Sequence, residues 1–245
     1  MITKENLSKL LEQTQEIAKE VGAFIRKERQ HFDVEKVEHK GFNDLVSYVD
    51  KEAERQIVEK LSAIFPESGF ITEEGTSTTK GEKYNWVIDP LDGTTNFIHG
   101  IPVFSVSIAL MEEEKVIMGV VYEVNRHECF YAMKGGGAFC NDTPIKVSKA
   151  PDLSASLIST GFPYYNFELI DRYLNSMKSL MQKTHGLRRF GSAAVDLCYV
   201  ASGRTEGFFE YNLNSYDVAA GAIIVQEAGG KVTDFAGGED YIFGR

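Results

Sequence analysis

Apolar residues recur at helical spacing in the first part of the chain and predict two helices. The first is expected to run from residue 4 to about 29, after a possible cap at Thr3. Its apolar face consists of Leu7, Leu11, Ala18, Val21 and Ile25. The second is expected to follow Asp50 and to end before Pro66, because proline has no N–H to donate inside a helix. Its apolar face consists of Ala53, Ile57, Leu61 and Ile64.

The pattern then changes to short apolar stretches separated by polar turns, which indicates strands, and over residues 103–147 it indicates an antiparallel sheet. Strands over Gly69–Thr72 and Tyr84–Ile88 flank a polar loop, and each of them ends in acids. Within residues 103–147 a meander is expected, with strands up to Met111, over Val116–Val124 and over Cys129–Met133, and a short strand after the glycines at 135–137. We expect the two helices to cover one face of this sheet.

Residues 148–155 are small and polar, and they predict a linker between two regions, 1–150 and 151–245. Beyond the linker, strand and helix alternate, which is typical of α/β structure. The expected elements are Ser156–Thr160, a helix from Phe167 to about Lys183, Leu187–Phe190, the helix Ala193–Ala201, Glu206–Tyr211, the helix Val218–Glu227, and Lys231–Phe235. The N-terminal region is predicted to be α+β and the C-terminal region α/β.

The chain is acidic, with a formal net charge of −10 over 245 residues. Binding to nucleic acid or to an anionic membrane requires clustered Lys and Arg, so we expect neither partner. A phosphorylated partner should instead be small and bridged by cations. No run is long and apolar enough to span a bilayer, and the start of the chain lacks a secretory signal, so a cytoplasmic protein is expected. Cys129, Cys140 and Cys198 lack metal-ligand spacing and are expected to be buried thiols.

The most informative stretch is W-V-I-D-P-L-D-G-T-T-N-F, Trp86–Phe97. Asp89 and Asp92 stand on either side of a proline, and Gly93 allows a tight turn that could direct both carboxylates to one point. Free amides at the start of a helix beginning near Gly93 could bind an anion. The stretch therefore predicts a metal–phosphate site, although Asp92 could instead cap a helix and Asp89 could simply end a strand.

Other acids can reach the same place. Glu73 ends the strand that neighbours Asp89, whereas Glu74 should point away because side chains alternate along a strand. Asp50 and Asp217 stand at predicted helix starts, where each could be no more than a cap. Four or five carboxylates in one cleft repel each other unless divalent cations lie between them. Because all the ligands are hard oxygens, Mg²⁺ or Mn²⁺ is favoured over zinc, and more than one ion is expected.

These residues resemble the inositol monophosphatase family, within the wider lithium-sensitive, magnesium-dependent phosphatases. The resemblance covers nearly the whole chain and is most specific at Trp86–Phe97. Supporting motifs lie at Asp44–Asp50, Glu73–Gly75, Gly191–Leu197 and Tyr216–Gly230. The resemblance implies a layered αβαβα sandwich of the inositol monophosphatase and fructose-1,6-bisphosphatase type, with the active site between the two regions.

The resemblance also implies the metal ligands. Glu73, Asp89 and the carbonyl of Leu91 would bind one ion, and Asp89, Asp92 and Asp217 would bind a second. Glu73 could share a third, loosely held ion. Mg²⁺ is the expected metal, with Mn²⁺ as a possible substitute, and Li⁺ is expected to inhibit by occupying one of the positions.

For the reaction, the resemblance implies that Glu73 and a Thr94–Asp50 pair position and deprotonate the attacking water. Amides of Gly93 and Thr94 would receive the phosphate oxygens. The alcohol half of the substrate would contact Asp92, Gly191, Ser192, Ala193 and Glu210. Glu210 suits this role because a carboxylate accepts hydrogen bonds from vicinal hydroxyls, although it could also be an ordinary solvated acid. His99 is expected to be a packed or surface residue and not a catalyst.

The expected activity is magnesium-dependent hydrolysis of a phosphate monoester, first of all inositol-1-phosphate, releasing myo-inositol and phosphate. A small phosphorylated polyol or sugar is the expected substrate class, and a homodimer is expected from the family. A 3′(2′),5′-bisphosphate nucleotidase or a fructose-1,6-bisphosphatase-like activity is the alternative. Phosphoadenosine phosphatases tend to carry Lys-Glu where this chain has Thr95-Asn96, which favours the inositol phosphate. A non-catalytic scaffold is a further alternative.

The sequence departs from the pattern of the family at two places. Tyr216 stands where the family usually has tryptophan, and relatives continue beyond Y-I-F-G-R with a last strand and helix.

Phosphatases of the haloacid dehalogenase type are a competing class, in which a nucleophilic Asp stands two residues before the aspartate of a D-G-T motif. Here no aspartate stands two residues before Asp92, so we expect direct attack by water and no aspartyl-phosphate.

Overall fold

The structure is a computed structural model that describes residues 2–32, 38–41, 44–77, 79–163 and 166–243. The helices are α1 (Lys4–Gln30), α2 (Tyr48–Ile64), α3 (Thr94–His99), α4 (Ile170–Met181), α5 (Ala193–Ala201) and α6 (Ser215–Glu227). The strands are β1 (Glu38–Gly41), β2 (Asp44–Val46), β3 (Gly69–Thr72), β4 (Tyr84–Asp92), β5 (Ser105–Glu112), β6 (Lys115–Glu123), β7 (Glu128–Met133), β8 (Ala138–Cys140), β9 (Thr143–Ile145), β10 (Leu157–Thr160), β11 (Gly186–Arg188) and β12 (Gly207–Phe209).

Both predicted N-terminal helices are confirmed, and their caps explain where they begin. In α1 the hydroxyl of Thr3 accepts a hydrogen bond from the backbone N–H of Asn6, at 3.2 Å. Helix α2 begins earlier than expected because Ser47 is its cap, and Asp50 is the third helical residue of a capping box. Asp50 is therefore not the N-cap that its position in the sequence allowed.

A seven-stranded sheet lies at the centre, in the order β3-β4-β5-β6-β7-β8-β9. The antiparallel meander predicted over residues 103–147 is confirmed, and β3, whose direction the sequence left open, runs parallel to β4. Thr72 pairs with Ile88, so the two strands reach the same edge of the sheet together. The residues that follow Thr72 and Ile88 are Glu73 and Asp89, which consequently lie side by side.

The two faces of this sheet are covered by different kinds of packing. Helices α1 and α2 cover one face, as predicted, over large buried side chains such as Trp86 and Ile108. Helices α5 and α6 cover the other face, where small residues such as Ala109 and Ala132 lie among larger ones such as Phe130. At Gly119 a Cβ atom would lie 2.8 Å from the Cα of Ala220, so this glycine lets α6 approach the sheet closely.

A second, three-stranded parallel sheet, in the order β11-β10-β12, lies beyond α5 and α6, with α4 on its outer side. The layers therefore follow the order helix, sheet, helix, sheet, helix, as the αβαβα expectation requires. The division at residue 150 stays a prediction, because α5 and α6 pack on the sheet formed by residues 69–145.

Some boundaries in the C-terminal half differ from the prediction. Helix α4 is shorter than Phe167–Lys183, and β12 is shorter than Glu206–Tyr211. The predicted strand Lys231–Phe235 has no regular structure. Its alternating pattern suits a strand, but a strand also needs a hydrogen-bonded neighbour, and none of the described strands pairs with it. Among the described residues, no helix has both the length and the apolar character needed to cross a bilayer.

Candidate active site

A cavity of about 280 Å³ opens where β3 and β4 end and where α5 and α6 begin. Of the predicted site residues, those that line it are Glu73, Asp89, Leu91, Asp92, Gly93, Thr94, Gly191, Ser192, Ala193, Glu210 and Asp217. Asp50 is buried behind Thr94 and is only 1% exposed. Strand pairing and the two helix starts thus bring together residues that are up to 144 positions apart in the sequence (73 to 217).

Three carboxylates form the acidic centre of the cavity. Oxygens of Asp89, Asp92 and Asp217 all lie within 4.8 Å of one another. Asp89 is 2% exposed and Asp92 is 8% exposed, so water screens their charges poorly. No thiol or imidazole is among the described residues that line the cavity, and such an all-oxygen set fits Mg²⁺ or Mn²⁺.

The electrostatics of the centre also fit a cation. Burial raises the pKa of Asp89 well above its usual range, and the charges of Glu73, Asp92 and Asp217 raise it further. Burial also raises the pKa of Asp92 to about 6, although hydrogen bonds from Ser192 and from backbone amides oppose that shift. A positive ion between these groups would remove the repulsion and allow all of them to ionise at neutral pH.

Asp92 is held by the start of α5. Its Oδ2 accepts hydrogen bonds from the Ser192 hydroxyl at 2.6 Å and from the Ala194 N–H at 2.7 Å. The alternative that Asp92 caps the helix after it does not hold, because Gly93 is the N-cap of α3 and no side chain caps that helix. Asp92 therefore joins the central sheet to α5. Ser192 is 1% exposed, and its hydroxyl donates its proton to Asp92.

Asp217 and Asp89 are each fixed through one oxygen as well. Asp217 is the third residue of α6, and its Oδ2 accepts a 2.6 Å hydrogen bond from the N–H of Asn214, the helix cap. Oδ1 of Asp89 accepts a 3.0 Å hydrogen bond from the N–H of Leu91. Local backbone contacts thus set the orientation of both carboxylates.

Thr94 and Asp50 are hydrogen-bonded to each other. The Thr94 hydroxyl lies 2.8 Å from Oδ1 of Asp50 and 3.0 Å from the carbonyl oxygen of Leu91, so its proton has acceptors inside the protein. Oδ2 of Asp50 accepts from the N–H and the hydroxyl of Ser47, at 2.9 and 2.6 Å. Burial raises the pKa of Asp50, while these hydrogen bonds oppose the shift. A threonine oxygen whose proton is donated inward can accept a hydrogen bond from a water in the cavity.

Glu73 lies next to Asp89 because β3 and β4 are parallel. Its backbone N–H donates to the carbonyl of Ile88 at 3.3 Å, which extends the strand pairing by one residue. The charge of Glu73 raises the pKa of Asp89, as expected for two acids side by side. Glu74 is not among the residues lining the cavity, in agreement with strand alternation.

The turn between β4 and α3 depends on Gly93. Its φ of +97° is in the left-handed region. A Cβ atom there would also lie 3.1 Å from the carbonyl oxygens of Gly191 and Val103. A larger residue would therefore push apart the chain segments that meet at the cavity.

The opposite side of the cavity contains the predicted Glu210 together with Arg189 and Gly161, which the sequence did not single out. Burial raises the pKa of Glu210 well above its usual range, with Asp196 adding to the shift and Arg189 opposing it. Arg189 is the one cation among the described lining residues, and its guanidinium carbon lies 5.7 Å from the ring centre of Phe162. A Cβ on Gly161 would fall 2.0 Å from the carboxyl carbon of Glu210, so only glycine leaves room for this carboxylate.

No spacing rule points to Arg189 or Gly161, since both follow short strands in loops of ordinary composition. His99 is exposed and is not among the cavity residues. All three cysteines are free, and Cys129 and Cys198 are buried, whereas Cys140 is half-buried. Burial raises the pKa of each thiol, which is typical of unreactive cysteines.

Known proteins resemble this chain over nearly its whole length. The model of the inositol monophosphatase family matches residues 6–244. Nus factor SuhB of Pasteurella multocida is 43% identical over 226 residues, covering 92% of this chain and 85% of that protein. The crystal structure of extragenic suppressor protein suhB from Bartonella henselae superimposes with a TM-score of 0.91 at 41% identity, covering 96% of this chain and 90% of that one. Inositol monophosphatase from Anabaena gives a TM-score of 0.84 at 37% identity, covering 95% and 86%.

These likenesses confirm the layered α/β fold and correct one expectation. The prediction that nucleic acid is not a partner is wrong: relatives that are 42–43% identical to this chain are named Nus factors. The prediction rested on a net charge of −10. Net charge averages over the whole surface, so it does not exclude a local contact or a contact made through another protein.

Proposed function

The chain belongs to the inositol monophosphatase family, and from that premise we propose that it hydrolyses a small phosphate monoester with the help of divalent metal ions. The observation that carries the proposal is the convergence of Asp89, Asp92 and Asp217 within 4.8 Å inside a cavity. Inositol-1-phosphate is the first candidate substrate. Nucleotide 3′(2′),5′-bisphosphates and fructose-1,6-bisphosphate are the alternatives.

Five residues would hold the ions. Glu73, Asp89 and the carbonyl of Leu91 form one group, and Asp89, Asp92 and Asp217 form the other. Bound Mg²⁺ or Mn²⁺ would supply charge neutralisation at the phosphoryl group and a lowered pKa for water. Two or three ions and inhibition by Li⁺ are part of the proposal, on the ground of family membership.

The protein's own groups would prepare the water. The Thr94 hydroxyl donates its proton toward Asp50, at 2.8 Å, so its oxygen is free to accept a hydrogen bond from a water in the cavity. Glu73, on the neighbouring strand end, is a carboxylate that can take the second hydrogen bond and the proton. Oriented by these contacts, the water oxygen would form the new P–O bond while the bond from phosphorus to the ester oxygen breaks. The ester oxygen would leave as the alcohol with a proton from solvent, and Glu73 would return its proton to solvent.

Phosphate and alcohol would contact different walls of the cavity. Amides of Gly93 and Thr94 at the tight turn can donate to phosphate oxygens. Glu210 can accept hydrogen bonds from vicinal hydroxyls, with Gly191, Ser192 and Ala193 closing the cavity beside Asp92. A volume of about 280 Å³ suits a small polyol better than a large nucleotide.

Phosphate release from a panel of monoesters, with Mg²⁺ and with EDTA, tests the proposal. The panel contains inositol-1-phosphate, phosphoadenosine phosphate, fructose-1,6-bisphosphate and NADP. We expect release that requires Mg²⁺ and is fastest with inositol-1-phosphate. The absence of release from every monoester would contradict the proposal and favour a non-catalytic protein, and trapping of an acyl-phosphate by hydroxylamine would contradict the direct attack by water.

A second candidate function is a role as a Nus factor, which the names of relatives with 42–43% identity over 92% of this chain favour. The two functions are compatible, because one fold can carry a catalytic cavity and a separate contact surface. Capture of RNA polymerase or other Nus factors by the tagged protein tests this role, with Asp89→Asn as a matched variant. Equal capture by both proteins would separate this role from catalysis, and no capture would contradict it. The homodimer and the cytoplasmic location stay predictions.

A further inference from the structure

We propose that Glu54 is a positioning residue that holds the turn carrying Glu73 and thereby sets the affinity of the site for its metal ions. Glu54 lies on α2, is 0% exposed and does not line the cavity. It therefore acts through other residues. The inference rests on the proposed metal-dependent function, and it adds to that function a residue outside the cavity.

The contacts of Glu54 all go to one turn. Its Oε2 accepts a hydrogen bond from the N–H of Glu74 at 2.7 Å. Its Oε1 accepts from the N–H of Thr76 at 2.9 Å and from the Thr76 hydroxyl at 2.8 Å. An ionised carboxylate is the one side chain of this size that can accept on both oxygens, and hydrogen bonds to a charged acceptor are stronger than neutral ones.

These bonds fix Glu73 from its C-terminal side. On the N-terminal side, β3 pairs with β4, and the N–H of Glu73 donates to Ile88. Directly after Glu74 the chain turns at Gly75, whose φ of +70° is in the left-handed region and whose surroundings leave open space. Without Glu54, the turn after Glu73 would lose these three hydrogen bonds, and the Glu73 carboxylate would have a wider range of positions.

Helix α2 attaches two turns of the chain, each through a buried carboxylate. Asp50 and Glu54 are four residues apart, which places them on one face of the helix. Asp50 accepts from Thr94 in the turn after β4, and Glu54 accepts from the turn after β3. The two turns that follow the parallel strands are therefore both attached to one rigid helix, through two buried carboxylates.

The decisive experiment measures Mn²⁺ binding by electron paramagnetic resonance of the free ion, at a temperature well below unfolding. Glu54→Gln keeps the size of the side chain but offers an amide N–H₂ to a backbone N–H or hydroxyl donor. We expect the dissociation constant for Mn²⁺ to rise by about 10-fold, the lower end of the range for residues that orient metal ligands. Glu59→Gln is the control, because Glu59 is an exposed acid on the same helix, paired with Arg55.

A milder pair of variants guards against misfolding of Glu54→Gln. Thr76→Val removes one of the three hydrogen bonds and leaves every carboxylate in place, whereas Thr76→Ser keeps the hydroxyl. We expect Thr76→Val to weaken Mn²⁺ binding by a smaller factor and Thr76→Ser to bind like the wild type. Amide hydrogen exchange at Glu74 and Thr76 in the metal-free protein should accelerate in both Glu54→Gln and Thr76→Val.

Unchanged Mn²⁺ affinity in folded Glu54→Gln and Thr76→Val would overturn the inference and leave Glu54 with a purely structural role. Equal weakening in Glu59→Gln would overturn it as well, because the effect would then follow from lost charge alone. Neither readout requires turnover. A wild type that binds Mn²⁺ but hydrolyses no ester would therefore contradict the proposed function without deciding the role of Glu54.

Discussion

The cavity has two walls that are built in different ways. On the acidic wall, Asp89, Asp92 and Asp217 each have one oxygen bonded to a backbone N–H at a strand end or helix start. On the opposite wall, Glu210 and Arg189 follow the short strands β12 and β11. The acidic wall is thus tied to the central sheet and to two buried helices, whereas the other wall belongs to the small outer sheet.

This difference indicates where the reaction and the substrate preference are determined. Groups that must hold metal ions need fixed positions, which buried elements with backbone contacts supply. The groups that would contact the alcohol lie on the opposite wall, where Glu210 fits against Gly161. They can therefore change without moving the groups that would hold the metal ions. We expect variants on the acidic wall to abolish turnover and variants on the opposite wall to change the choice of substrate.

The largest effect is expected from Asp89→Asn on the acidic wall. Asp89 belongs to both proposed metal groups, so its loss should lower kcat/KM by more than about 100-fold, beyond the range for residues that only orient a ligand. Phosphate release at saturating Mg²⁺ measures it. Asp171→Asn, an exposed acid on α4, is the control and should behave like the wild type. Near-normal turnover of Asp89→Asn would contradict the proposal that the acidic wall holds the metal ions.

Thr94→Val should cost about 100-fold in kcat, within the range for one group that handles a proton. Its hydroxyl joins the cavity to Asp50, and valine has no oxygen to accept a hydrogen bond from water. Thr94→Ser keeps the oxygen and should recover most of the activity. If valine and serine were equally active, the Thr94–Asp50 pair would have a structural role only.

Glu210→Gln should act on the substrate and not on the chemistry. We expect KM for inositol-1-phosphate to rise by about 10-fold, one charge-assisted hydrogen bond or less, while kcat changes little. A simple monoester without vicinal hydroxyls provides the internal control, because its KM should not change. An equal loss for both esters would assign Glu210 to the acidic wall.

The smallest effect concerns stability without metal. The pKa of Asp92 in the folded protein is about 6, above an ordinary value of about 3.9, and that of Asp89 is raised in the same direction. Stability from these groups is therefore fully present below about pH 4 and is lost as the pH rises through about 6. In EDTA, the melting temperature should fall by a few degrees between about pH 5 and 7.5. Saturating Mg²⁺ should reduce this slope, and a slope that is the same with and without Mg²⁺ would contradict the account.

Periodicity and local motifs predicted most of the fold, including α1, β3 and the helix Ala193–Ala201. They left the direction of β3 relative to β4 open, because a strand's pattern does not state its partner's direction. The supposed strand Lys231–Phe235 failed for the related reason that a strand needs a neighbour. Sequence pattern describes one segment at a time, and pairing is a property of two.

The acidic wall could be predicted because a carboxylate next to a proline and a glycine turn is a strong local signal, as at Asp89 and Asp92. The opposite wall could not, because Arg189 and Gly161 follow short strands in loops without a motif. Glu54 could not be predicted either, since an acid in a helix is usually solvated and only the fold shows the three groups that donate hydrogen bonds to it.

The most direct test of the central claim is anomalous diffraction from crystals of the protein grown or soaked with Mn²⁺. We predict anomalous peaks within bonding distance of Asp89, Asp92 and Asp217, and the loss of those peaks in Asp89→Asn crystals prepared in the same way. Carboxylates that stay apart, with only water between them at saturating Mn²⁺, would contradict the claim that this cluster is a divalent metal site.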